Sequence, residues 1–167
     1  LNDQEIVRRE SLQELINLGI NPYPAPLYDV NAFANTIKHD FTDEPLNFQE
    51  VCLAGRLMSR RGQGKAIFAE LKDSSGRIQI YFKRDDFGEQ AELIFDHLVA
   101  KHLDLGDYIG IKGETFRTKM GEITIRVKEV TLLSKSLKPL PVVKKDAEGY
   151  IFDAFSDPEV RARQRYV

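Results

Sequence analysis

Cysteine is almost absent from this chain: Cys52 is the only one in 167 residues. An intrachain disulfide is therefore excluded, and no cluster of cysteines and histidines could hold zinc, so a reducing compartment fits. No apolar run approaches the roughly 20 residues that a bilayer-spanning helix needs, and no membrane segment is expected. A secretory leader is not expected either. Leu1-Asn2-Asp3-Gln4-Glu5 is polar and acidic rather than basic and then apolar, and the chain opens without Met, as a piece of something longer would. Charge of one sign is not in excess either: 24 Lys+Arg against 26 Asp+Glu give a formal net charge of -2. The whole-chain basic field that advertises nucleic-acid binding is thus not there.

Catalytic patterns are equally scarce. His39, His97 and His102 have no nucleophile at useful spacing. Arg61-Gly62-Gln63-Gly64-Lys65 has glycine and lysine, but neither the spacing nor the Ser/Thr of a phosphate-binding loop. Asp85-Asp86 is a paired acid with no third ligand nearby. The expectation is no catalytic residue, no metal ligand and no cofactor of the chain's own. Neither an internal repeat nor a low-complexity tract occurs.

What is present is enough apolar material for one folded domain and some decoration, with 42% hydrophobic and 30% charged residues. The charge is unevenly placed. Residues 1–50 carry three basic and nine acidic side chains, a net of -6. From Arg56 to Arg84 there are eight basic residues against Glu70 and Asp73, a net of +6. The near-neutral total hides an acidic front and a basic middle.

Three segments follow from the periodicity. In residues 1–49, Leu12, Leu15 and Ile16 at helical spacing predict an amphipathic helix from Asp3 to Leu18, capped by Asp3 and ended by Gly19. Pro22, Pro24 and Pro26 then impose an extended connector, and Ala32, Phe33 and Ile37 predict a shorter helix between Val30 and His39. Across residues 50–135 the period changes to two, with strands around Val51–Met58, Ala66–Leu71 and Arg77–Phe82. A helix follows from Asp86 to Leu103, and then strands at Ile109–Thr115 and Ile123–Lys128. Five strands with a helix between the third and fourth is the order of a mainly β OB-fold, a Greek-key barrel that often binds single-stranded nucleic acid. Residues 136–167 read as a linker, with Pro139 and Pro141, and a helix starting at Asp157.

Strand alternation also points to a surface. If Ile67, Ala69 and Leu71 and Ile78, Ile80 and Phe82 face the barrel interior, then Phe68, Gln79 and Arg56 face out. A ring, an amide and a guanidinium suit a splayed-out base: stacking is worth about 1–3 kcal/mol, and the polar groups can meet the base edge. A lone outward Phe, Gln or Arg would be an ordinary surface residue. Their joint presence on the strands that carry ligand in OB barrels favours binding.

Val51 to Arg61, Gly64 to Asp73 and Gly76 to Tyr81 together resemble the N-terminal anticodon-binding domain of the lysyl-tRNA synthetase family. So do Gly19-Ile20-Asn21-Pro22-Tyr23-Pro24, Leu105-Gly106-Asp107, Lys119-Met120-Gly121-Glu122 and Leu132 through Pro141, and the resemblance covers nearly the whole chain. It implies that Phe68 stacks on the central uridine of the anticodon of tRNA(Lys) and that Gln79 bonds its edge. It also implies that Arg61 and Arg56 hold the base and backbone nearby, and that Glu122 addresses the first anticodon base. Arg161-Ala162-Arg163-Gln164-Arg165-Tyr166 resembles the lead-in to a class II catalytic domain. The family's full enzyme, a lysine–tRNA ligase, uses ATP and Mg2+ and works as a cytoplasmic homodimer. None of its ATP, lysine or magnesium motifs falls in these residues, so the segment itself is expected to bind rather than catalyse, with no DNA or membrane as partner.

Other readings stay open on residues alone. Aspartyl- and asparaginyl-tRNA synthetases share the fold and the Phe-to-Gln spacing. A free-standing single-strand binder should carry several outward aromatics, because each nucleotide needs its own platform, whereas Phe68 and Tyr81 are the clear ones on strands two and three. A protein-contact module would have no need of Gln79 beside Phe68.

Overall fold

The computed structural model describes residues 2–62 and 64–140, with the short pieces Lys144–Lys145, Ile151–Phe152 and Ala162. The helix expected from Asp157 lies outside the described residues. Helix α1 (Asp3–Asn17) is capped one residue earlier than expected, by Asn2 rather than Asp3. The Asn2 side chain accepts from the Glu5 N–H at 2.8 Å, and the Glu5 carboxylate accepts from the Asn2 N–H at 3.2 Å, a reciprocal capping box. Its covered face also differs from the expected Leu12, Leu15, Ile16 stripe. Leu15 is buried, Ile16 is 49% exposed, and the face is completed by Arg8 and Ser11. Arg8 is inside because its guanidinium donates to the carbonyls of Leu105 at 2.8 Å and Ser136 at 3.0 Å. Helix α2 (Ala34–Asp40) starts where the Asp73 carboxylate accepts from the Ala34 N–H at 2.7 Å.

Strands β1 (Val51–Arg61), β2 (Ala66–Lys72), β3 (Arg77–Lys83), β4 (Tyr108–Arg117) and β5 (Ile123–Ser134) form a closed barrel in the order β1-β2-β3-β5-β4. The first three make the expected antiparallel meander, β3 and β5 pair in parallel, and β4 closes on β1. This is the five-stranded OB architecture. Strands β1, β4 and β5 run beyond the sequence expectation. Irregularities at Leu57/Ser59 and Lys112/Gly113 bend these strands and let them continue around the barrel. Inward residues at every second position, among them Leu53, Ile67, Leu71, Ile80, Phe82, Ile111, Ile125 and Val127, make one core.

The helix expected from Asp86 to Leu103 is two pieces. A 3₁₀ segment at Arg84–Gln90 breaks at Gly88, whose φ of 54° cannot continue a right-handed helix, and α3 (Ala91–His102) follows with the wider π winding. Phe95, Leu98 and Val99 of α3 join the barrel core. Arg60 donates to the carbonyls of Val99 at 2.8 Å and Leu103 at 3.1 Å, which serves acceptors left over at the helix end.

A polar seam joins the segments on either side of the barrel. The Lys135 ammonium, with its side chain fully buried, donates to Asp107 at 2.7 Å and Asp104 at 2.5 Å. Asp107 also accepts from the N–H groups of Asp104 and Ser136. The Tyr23 hydroxyl donates to the Lys135 carbonyl, and the Lys135 N–H donates to the Pro22 carbonyl. The proline-rich connector is held further along by Tyr28, whose ring packs flat on Gly110 of β4, where any Cβ would fall 2.5 Å from the ring. Burial pushes the Tyr28 phenol up to about 12. Among the described residues no helix is long and apolar enough to cross a membrane.

Candidate nucleic-acid interface

The outer face of β1, β2 and β3 is organised by register into cross-strand rows. Arg61 lies opposite Phe68, and Phe68 opposite Tyr81. Two residues along, Ser59, Glu70 and Gln79 are aligned, and Gln79 continues to Thr124 on β5. Two residues further, Arg56 is opposite Lys72 and Lys72 opposite Arg77. At about 3.3 Å of rise per residue, neighbouring rows are about 6.5 Å apart.

The first two rows interlock. The Arg61 guanidinium donates to the Gln79 side-chain carbonyl at 3.0 Å, and the Gln79 amide nitrogen donates to the Thr124 hydroxyl at 3.1 Å. The Gln79 amide is thereby oriented, with one N–H and one lone pair left over. The guanidinium carbon of Arg61 is 5.7 Å from the centre of the Phe68 ring, within cation–π range. Phe68 and Tyr81 rings are tilted with centroids 4.7 Å apart, and Phe116 of β4 meets Tyr81 edge-on at 6.3 Å. A shallow cavity of about 170 Å³ opens beside them, lined by Arg61, Gln79, Glu122, Glu70, Arg77 and Lys38. Glu70 and Arg77 pair at 2.8 Å but are both solvated, so this bridge holds the cavity wall only weakly.

The electrostatics beside Tyr81 are neutralised. Arg126, opposite Tyr81 in the β3–β5 register, forks onto Asp86 with bonds of 2.7 and 2.6 Å. This bidentate bond, aided by Lys128, holds the Asp86 carboxyl below the usual carboxylate range. Arg61, by contrast, has no carboxylate partner among the described residues. The free positive charge is thus placed next to the Phe68 ring and the Gln79 amide.

Residues 51–133 match the model of a family described as an OB-fold nucleic acid binding domain. The barrel belongs to that family. The OB domain and its flanks are also similar to three proteins named lysine–tRNA ligase. That of Porphyromonas gingivalis strain W83 is 55% identical over 170 residues, covering all of this chain and 29% of that protein. That of Christiangramia forsetii is 52% identical over 168 residues, covering 99% of this chain and 29% of that protein. The Azobacteroides pseudotrichonymphae protein is 49% identical over 168 residues, covering all of this chain and 33% of its own length. The chain therefore spans about a third or less of the curated relatives it matches.

Within the OB domain the structure brings together four of the five residues singled out from sequence: Phe68, Gln79, Arg61 and Glu122. Arg56 is on the same outer face but stands apart, over the Tyr108 ring at 4.8 Å. Alternation alone identified Phe68 and Gln79. Arg61 does not follow from alternation, because the irregularity between Leu57 and Ser59, which turns Arg61 to the outer face, has no signature in the apolar pattern. Thr124 and Lys38 were missed. Thr124 reaches Gln79 through a parallel pairing between strands distant in sequence, and Lys38 arrives from α2, outside the barrel. Phe116 was missed as well, because the apolar alternation of β4 fades after Thr115. A third outward aromatic is the kind of signal that reading the strand to its end would have found.

Proposed function

We propose that the OB domain reads the anticodon loop of tRNA(Lys) and that it serves as the N-terminal recognition part of a longer lysine–tRNA ligase. The observation that carries this reading is the Gln79 amide, fixed between Arg61 and Thr124, with the same Arg61 guanidinium over the Phe68 ring. A base stacked on Phe68 would present its Watson–Crick edge to one donor and one acceptor whose direction is already set, as selective recognition of a splayed-out base requires. Phe68 takes the central uridine and Gln79 its edge, while Arg61 adds charge for the adjoining phosphate. Glu122, on the cavity wall at the β4–β5 turn, faces the first anticodon base, and Arg56 acts further along the strand.

The longer protein would be a class II synthetase that activates lysine with ATP and Mg2+, and would work as a cytoplasmic homodimer. Residues 1–49 act as a helical extension, 50–135 as the recognition domain and 136–167 as the approach to the catalytic part. Among the described residues no group of three His, Cys, Asp or Glu side chains could hold a metal ion.

The test is equilibrium binding of this chain, at fixed salt, to RNA stem-loops that differ only in the three anticodon bases. The expected order places UUU first, with a loss on changing the central base, and Phe68→Ala should weaken the UUU complex by about 1–3 kcal/mol. Preference for GUC or GUU would move the assignment to the aspartyl or asparaginyl class. Equal affinity for every loop would leave a non-specific single-strand binder.

A further inference from the structure

Arg56 does not join the Phe68 cluster; it belongs to a second constellation. Register places Lys72 of β2, Arg56 of β1 and Tyr108 of β4 side by side in one row. A cavity of about 550 Å³ opens over this row, walled on its far side by Val30 and Phe33. Phe33 and Tyr108 are 50% and 42% exposed, an unusual state for two aromatic side chains facing one hollow. Phe33 is not loosely placed, since the next residue, Ala34, is bonded through its N–H to Asp73.

The polar inventory of this hollow is unbalanced. No ion pair reaches Arg56 or Lys72 among the described residues. The Arg56 Nε–H is covered and has no hydrogen-bond partner, and a covered unmet donor needs a reason. Asp73 is the one carboxylate on the wall. It is committed to the Ala34, Ser75 and Gly76 N–H groups and the Ser75 hydroxyl, which outweigh burial and hold its carboxyl below the ordinary range. Two unpaired cations beside two exposed rings match a group that is anionic at one end and flat at the other.

We propose that this hollow is a second nucleotide subsite, which takes a phosphate on Arg56 and Lys72 and the base of the same nucleotide against Tyr108 and Phe33. The occupant is another nucleotide of the RNA strand bound at Phe68. Lys72 is four residues along β2 from Phe68, about 13 Å, on the same outer face. A strand lying across the rows reaches both sites with intervening nucleotides over Glu70 and Ser59. OB domains engage about 4–16 nucleotides, more than the Phe68 cavity alone can hold. The inference rests on the reading of the Phe68 site as an RNA site and extends its footprint.

The test uses this chain and a UUU anticodon stem-loop, with Tyr108→Ala, Lys72→Gln, Arg56→Gln and Phe68→Ala compared by circular dichroism and then by affinity over a salt series. Tyr108→Ala should weaken binding about five-fold to a hundred-fold, the range expected for loss of one stacking platform. Lys72→Gln, at an exposed position that the fold does not need, should reduce the slope of log K against log salt by about one. Both variants should keep the ranking of stem-loops by central base, which Phe68 and Gln79 set. If Phe68→Ala weakens binding while Tyr108→Ala and Lys72→Gln match the parent in affinity and salt slope, the second subsite is wrong and the first stands. If none of the variants changes binding, the RNA reading of the whole face fails. A change in oligomeric state on Tyr108→Ala with RNA binding intact overturns the subsite in favour of a protein contact.

Discussion

On the proposed reading, Gln79 is a neutral side chain that carries selectivity on a basic surface. Arg61 fixes its carbonyl and Thr124 its amide nitrogen, so the direction of the remaining donor and acceptor is set by neighbours rather than chosen on binding. Gln79→Glu keeps the shape and replaces the donor by an acceptor. Arg61 can still pair with the carboxylate, and the Thr124 hydroxyl can turn to donate to it. The expected result is a folded variant whose preference at the central anticodon base moves from uridine toward cytidine, because a carboxylate accepts from the cytosine amino group. Competition between stem-loops that differ at this base measures the shift, and an unchanged ranking would remove Gln79 from the recognition edge.

At the scale of elements, the 3₁₀ segment before α3 is fastened to β5 through one carboxylate, Asp86, which pairs with Arg126 and, more distantly, Lys128. The Asp86 side chain is 8% exposed and forks onto Arg126. Its folded-state carboxyl lies below the ordinary carboxylate range because Arg126 bonds the charged form. A lowered folded value means that the stabilisation is complete above the unfolded value of about 3.9 and is lost as pH falls through the folded one. Asp86→Asn should therefore lower the urea midpoint at pH 7, and the gap from the parent should close as pH falls from the unfolded carboxylate value through the lower folded one; a gap independent of pH would mean that packing, not charge, is responsible. The strands, by contrast, were legible as soon as apolar residues fell at every second position, since inward facing is written in side-chain type. Gly88 and the Asp86–Arg126 pair were not legible as a break: the run Ile94, Phe95, Leu98, Val99 has helical spacing, and nothing local to it says that the preceding residues turn away to reach a strand 40 positions later. The candidate site divides in the same way. Phe68 and Gln79 follow from alternation, while Glu122 was reached only through resemblance, because a hairpin-tip acid is an ordinary residue until the closed barrel sets it beside Gln79.

For the whole molecule, the net charge of -2 is a poor guide to the outer face of β1–β3, since acidic residues concentrate before β1 while Arg61, Lys72 and Arg56 have no ion-pair partner among the described residues. The interior has its own charge problem at Asp107. Burial pushes its carboxyl up, opposed by the Lys135 ammonium and backbone donors. Lys135→Met would leave that carboxylate enclosed without a counter-charge, and urea unfolding should show a loss of about 3–5 kcal/mol at pH 7. The loss should shrink at lower pH, where Asp107 takes up a proton in the folded state; no loss at all would mean that the ammonium is dispensable. Arg8, Pro22, Tyr23 and Ser136 meet at the same seam, so the N-terminal extension is fastened to the chain where it leaves β5. The extension and the barrel are consequently one unit: a barrel transplanted without residues 1–49 would leave the carbonyls of Leu105 and Ser136 without the Arg8 guanidinium and that of Lys135 without the Tyr23 hydroxyl.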